Sequence, residues 1–165
     1  MRRWMARIWL ASVCAGLSGV ATAGALVEGV WTTPEQAEMT IAACETGYCG
    51  TLSKIVITPE QVAAYGVSAD QIVVETLTDR FNENPALQSR PMLGLQILSL
   101  RATDNPWHFE GEIYNPRDGK TYSGSVDVTG PDSVLLKGCA LYVLCQEQIW
   151  TRAPLVEQAE VVAAQ

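Results

Sequence analysis

The sequence predicts an all-β domain: an antiparallel barrel or sandwich of about seven or eight strands, with one short helical insertion. Three observations carry that expectation. Residues 107–114, WHFEGEIY, alternate in character. Trp107, Phe109, Gly111 and Ile113 share one face, and His108, Glu110, Glu112 and Tyr114 share the other, which is the period of a half-buried strand. Residues 120–128 alternate again, with Tyr122, Gly124, Val126 and Val128 on one side. Between them, Asn115-Pro116-Arg117-Asp118-Gly119 is a turn: proline presets φ and Asp-Gly supplies the left-handed position. The two runs therefore form a hairpin.

The remaining elements follow in chain order. Arg2, Arg3 and Arg7 precede an apolar run over 8–20, too short to span a bilayer comfortably. Ala21-Thr22-Ala23 then supplies a small-x-small cleavage pattern, so 1–23 reads as a secretory signal and the mature chain starts near Gly24. The plain alternative is an uncleaved N-terminal anchor. Gly29-Val30-Trp31 opens the first strand, and Thr33-Pro34-Glu35 breaks it. Strands are expected over 37–43 and from Cys49 to Ile57. Thr58-Pro59-Glu60-Gln61 is a helix start, with threonine as cap, proline at the first position and an acid on the positive dipole end. Gly66 ends that helix. Ser68-Ala69-Asp70-Gln71 resembles a capping box that would start a second helix through about residue 78, although the β-branched run Ile72-Val73-Val74 also suits a strand. Residues 82–91 read as a loop. Strands are expected over 93–101, 133–139 and 146–152, and 153–165 as a flexible tail. The single barrel domain is thus 24–152, with the helical insertion at about 58–78.

Composition narrows the function. The 165 residues carry 11 Lys and Arg against 18 Asp and Glu, a net charge of −7. Removing the three arginines of 1–23 leaves 8 basic residues and a charge of −10. That balance excludes nucleic acid, which needs clustered cations to displace counterions, and disfavours an anionic membrane surface. The signal also removes Cys14. Cys44, Cys49, Cys139 and Cys145 remain, and an even count in an exported chain implies disulfides. Of the three pairings, the local ones, Cys44–Cys49 and Cys139–Cys145, are favoured because each closes a short loop. C-x4-C and C-x5-C are looser than usual zinc spacings, so zinc is disfavoured.

Several short segments recur in a fixed order: Gly29-x-Trp31, Cys49-Gly50, Asn84-Pro85 and Arg90-Pro91-x-x-Gly94. They continue with Gly111-x-Ile113-Tyr114-Asn115-Pro116-x-Asp118-Gly119-Lys120-x-Tyr122, Gly138-Cys139 and Gln148-x-Trp150-Thr151-Arg152. Together these resemble, over 29–152, the uncharacterised bacterial envelope family catalogued as domain of unknown function 2147. The chain departs from that family between 58 and 78, where it is longer and more helical. The resemblance implies a small lipocalin-like (calycin-type) antiparallel barrel and no established activity. The resemblance also places Trp31 on the first strand and Arg152 after the last where the barrel closes, so that the guanidinium could stack on the indole, a contact worth about 0.5–2 kcal/mol; an ordinary core tryptophan and a solvated arginine is the equal alternative.

Three functional readings follow. In the first, a non-enzymatic periplasmic barrel binds a small, largely apolar ligand, with Trp31, Trp107, Phe109, Ile113 and Tyr122 as candidate interior residues. A barrel of about eight strands is just wide enough for a filled core or one small ligand. In the second, the core is filled and the protein is a cell-envelope interaction module, meeting its unknown partner through 58–78 and 79–91. Asp79, Arg80, Asn82, Asn84 and Arg90 concentrate polar side chains there, which turn chemistry and surface ion pairs also explain. In the third, His108 works with Glu110 or Glu112, as a metal site or an acid–base pair; simple alternation of a wet face explains the trio equally well. No phosphate loop, dinucleotide fingerprint or Gly-x-Ser-x-Gly is present. No cofactor, metal or catalytic residue is therefore expected.

Overall fold

The computed structural model describes residues 24–57, 62, 72–140 and 144–154. The expected signal over 1–23, the helix start at 58–61 and the tail beyond 154 lie outside those residues. A single helical turn, α1 (Gly24–Val27), precedes eight strands. These are β1 (Gly29–Thr32), β2 (Glu38–Cys44), β3 (Gly47–Lys54), β4 (Gln96–Ala102), β5 (His108–Asn115), β6 (Lys120–Gly130), β7 (Ser133–Ala140) and β8 (Leu144–Arg152). They form one closed barrel in sequence order. Every neighbouring pair is antiparallel, including the closing pair β1–β8.

The registers define two ends. At the base lie α1 and the β2–β3, β4–β5 and β6–β7 turns. At the mouth lie the β1–β2 turn, the described part of the β3–β4 connection (55–57 and 72–95) and the β5–β6 and β7–β8 hairpins. Inward side chains from all the strands build one core. Trp31, Phe109, Leu98, Val126 and Val134 are 0% exposed, and Met39, Ile41, Leu100 and Trp150 are buried beside them. Tyr48 meets Phe109 edge-on, with ring centroids 5.4 Å apart. Side chains pack over the inward glycines too: Leu98 lies over Gly50 and Ile113 over Gly124, so a Cβ at either would collide.

Closure rests on few strand pairs. β1 is short because Pro34 ends it, and only Trp31↔Arg152 and Thr32↔Thr151 pair it with β8. Arg152 reinforces them. Its guanidinium lies 4.2 Å over the Trp31 ring. Nε donates to the Pro131 carbonyl at 2.9 Å, Nη1 to that of Glu28 at 3.1 Å and Nη2 to that of Leu26 at 3.3 Å. Gly29 makes room for this: its φ is +134°, and a Cβ there would strike Nη1.

Several boundaries differ from expectation. β5 begins at His108, not Trp107. Residues 106–107 belong to the preceding turn, so Trp107 leaves the barrel and is 49% exposed. Alternation continued into a turn residue because the pattern cannot tell a strand's first position from the last position of its turn. β4 starts at Gln96 rather than 93, leaving Leu93 43% exposed. The second expected helix does not run to 78. Within 72–78 there is one 3₁₀ turn, Val74–Thr76, after which Thr78 bridges to Pro91. The β-branched run resists helix there.

Candidate functional site

Three regions concentrate chemistry. The first is the mouth. The connection folds back on itself: Met92 donates its N–H to the Leu77 carbonyl, and Asp79 donates its own to that of Arg90. This buries Asp79 completely. Its carboxylate is fully partnered. Tyr114 Oη donates to Oδ1 at 2.6 Å, and Asn82 Nδ2 donates to Oδ2 at 2.9 Å. Arg90 donates to Oδ2 through Nε at 2.9 Å, with Nη2 2.8 Å away. Arg90 also lies over the Tyr114 ring at 5.2 Å. Burial, then the Asp79 carboxylate, raise the Tyr114 phenol pKa, which keeps it a donor. Of the expected polar loop residues, Asp79, Asn82 and Arg90 meet here. Asn84 instead caps the 3₁₀ turn Pro85–Leu87, and Arg80 lies 4.6 Å over Phe81. Tyr114 was not foreseen, because it lies 35 positions from its partner.

The second is the outer wall. His108, Glu110 and Glu112 point outward from β5. His108 Nδ1 lies 2.6 Å from Asp127 Oδ1, and Nε2 lies 3.3 Å from Glu110. The hydrogen bond to Asp127, opposed by burial and helped by Glu110, raises the His108 pKa. Both ring nitrogens thus face carboxylates, and Glu112 stands apart. Among the described residues no three His, Cys, Asp or Glu side chains converge to hold a metal ion. Asp127 was missed, yet the hairpin register that sets Gly111 against Gly124 also sets His108 against Asp127. His108, Glu110 and Glu112 border a trough of ≈ 640 Å³.

The third is at the base. Leu26, Trp107, Val128, Pro131 and Arg152 line a concavity of ≈ 540 Å³. The half-exposed Trp107 and the closing Arg152 thus line the same concavity.

The other expected residues fall as follows. Trp31 and Phe109 are buried in the lumen, and Ile113 packs against that core. Tyr122 faces Ile113 across the β5–β6 pair but is only half-buried, its hydroxyl donating to Asp118 at 2.6 Å. Cys44 is bonded to Cys49 and Cys139 to Cys145.

This architecture, a closed eight-stranded antiparallel barrel with a short N-terminal helical turn at its base, is that of a lipocalin-like protein. The chain belongs to the family described as an uncharacterized protein conserved in bacteria, DUF2147, whose model matches residues 29–152. Among solved structures it is similar to protein HP1028 from the human pathogen Helicobacter pylori, described as belonging to the lipocalin family. The TM-score is 0.58 at 17% identity, over 76% of this chain and 82% of that one. No curated protein matches.

Proposed function

We propose that this is an exported, non-enzymatic barrel that binds a small, largely apolar ligand, and that the ligand sits in the base concavity rather than the lumen. One observation carries the reading: the inward side chains of the eight strands pack into one buried core, while Trp107 is 49% exposed and lines the base concavity with Leu26, Val128 and Pro131. A mainly apolar pocket of this size with a few polar groups is the usual form of a small-ligand site. Export to the periplasm is supported by the signal-like pattern of 1–23 and by two disulfides, which suit an oxidising compartment.

The neutral apolar dye N-phenyl-1-naphthylamine is a suitable probe. It should bind saturably with enhanced fluorescence, and Trp107→Ala should weaken binding about tenfold, the loss of one stacked aromatic. Unchanged affinity in that variant would move the ligand elsewhere and end this assignment. Mass spectrometry of the mature protein should find Gly24 at its N-terminus.

A second reading, a protein-interaction module with a filled core, is favoured by exposed Phe81 (47%), Leu87 (38%) and Leu93 (43%) on the mouth connection. A photo-crosslinker replacing Phe81 in living cells should then trap one defined partner; a smear or nothing argues against it.

A further inference from the structure

The outer trough runs over a row of glycines that align across the wall. Gly111, Gly124 and Gly138 sit opposite one another on β5, β6 and β7. A Cβ at Gly111 would collide with the Ser99 carbonyl of β4, so no other residue lets the strands approach this closely. Gly111 and Gly124 form part of the floor of the ≈ 640 Å³ trough outside.

Most charges bordering the trough are already matched. Lys137 pairs with Glu147 at 3.1 Å, and His108 is held by Asp127 and Glu110. Arg101 and Glu112 are not: among the described residues neither makes an ion pair or hydrogen bond, and both line the trough. Register places them diagonally. Ser99 opposes Glu112 and Arg101 opposes Glu110, so the unmatched anion and cation share one face. Diagonal positions of this kind lie about 7–8 Å apart, which an extended chain covers in two or three residues. Ser99 and Ser123 flank Glu112 on both sides, and Ser125 opposes Glu110. Ser99 Oγ accepts from Gln96 Nε2 at 2.8 Å and keeps its proton to donate. Ser123 Oγ donates to the Cys139 carbonyl at 3.4 Å and keeps lone pairs to accept, so the row still offers the donors and acceptors a peptide backbone requires. Among the described residues no Trp, Tyr or Phe ring, the usual platform for a sugar, lines the trough.

We propose that this trough binds a short zwitterionic peptide of two or three residues. Its ammonium sits on Glu112, its carboxylate on the Arg101 guanidinium, and its amides against the serine hydroxyls. Arg101 offers the planar fork that a carboxylate fits. The site lies on the side wall and is independent of the base concavity.

Trialanine and N-acetyl-trialanine amide, titrated into the purified full chain by calorimetry, test this. Trialanine should bind saturably, and capping both ends should weaken it about tenfold or more, the loss of charge-assisted hydrogen bonds. Arg101→Gln should weaken trialanine to the same degree yet leave trialanine amide, which lacks the carboxylate, unaffected. Glu112→Gln should do the same against N-acetyl-trialanine. Both side chains are exposed, so the thermal midpoint should not move. The proposal is overturned if trialanine does not saturate below a Kd of about 10 mM, if the capped peptide binds equally, or if either variant weakens all peptides alike.

Discussion

His108 is the one histidine of the chain, and its two ring nitrogens face Asp127 and Glu110. The hydrogen bond to Asp127 is the main reason its pKa rises above the ordinary 6.5. The sign of the linkage follows. A group whose pKa is higher in the folded state contributes stability that is complete below its unfolded pKa and fades as pH rises through the folded value. The His108–Asp127 pair should therefore support the barrel at mildly acidic pH and contribute nothing once the imidazole is neutral. Asp127→Asn should bring the His108 titration back toward 6.5, read from its ring proton shifts by NMR. An unshifted titration would mean that the pair is not what holds the proton. Asp79 illustrates a different regime. It is wholly buried, and Arg90, Tyr114 and Asn82 supply the hydrogen bonds that water would.

At the scale of elements, the hairpins were the most legible part of the chain. Alternation over 107–114 and 120–128 with an Asp-Gly turn between them yields β5, β6 and their register, because tight turns fix which residues face each other. That register also contains the glycine row and the His108–Asp127 contact. Local sequence could not reveal the Asp79–Tyr114 hydrogen bond, which needs the connection to fold back on β5, nor the exit of Trp107 from the lumen, which turns on one residue of strand boundary. The disulfides belong to this scale too. Cys139 and Cys145 face each other across β7–β8, and Cys44–Cys49 spans the β2–β3 turn. Loops this short restrict the unfolded chain little, so each bridge should contribute about 2 kcal/mol. Reducing both should lower the urea midpoint while far-ultraviolet circular dichroism in buffer stays that of the barrel. Unfolding on mild reduction alone would show that the bridges, not the packed core, hold the strands together.

For the whole molecule, the critical event is closure. A closed barrel has no free sheet edge, whereas an opened one exposes β1 and β8 as templates for pairing with other chains. Yet β1 contributes four residues, and two register pairs join it to β8. Arg152 compensates by stacking on Trp31 and reaching three carbonyls, on Leu26, Glu28 and Pro131, which ties the end of β8 and the segment before β1 to the β6–β7 turn. Arg152→Ala removes the stack and the charged donors together and should cost about 3 kcal/mol. The loss should be local first. Hydrogen exchange should accelerate at Val30–Thr32 and at Thr151–Ala153, while amides of β4–β7 keep their protection. Arg152→Lys preserves the charge but has neither a planar face for the indole nor a fork for three acceptors, so it should recover less than half of the stability. If lysine restores both stability and exchange protection, closure depends on charge alone; if alanine leaves β1 and β8 protected, the backbone pairs suffice to close the barrel.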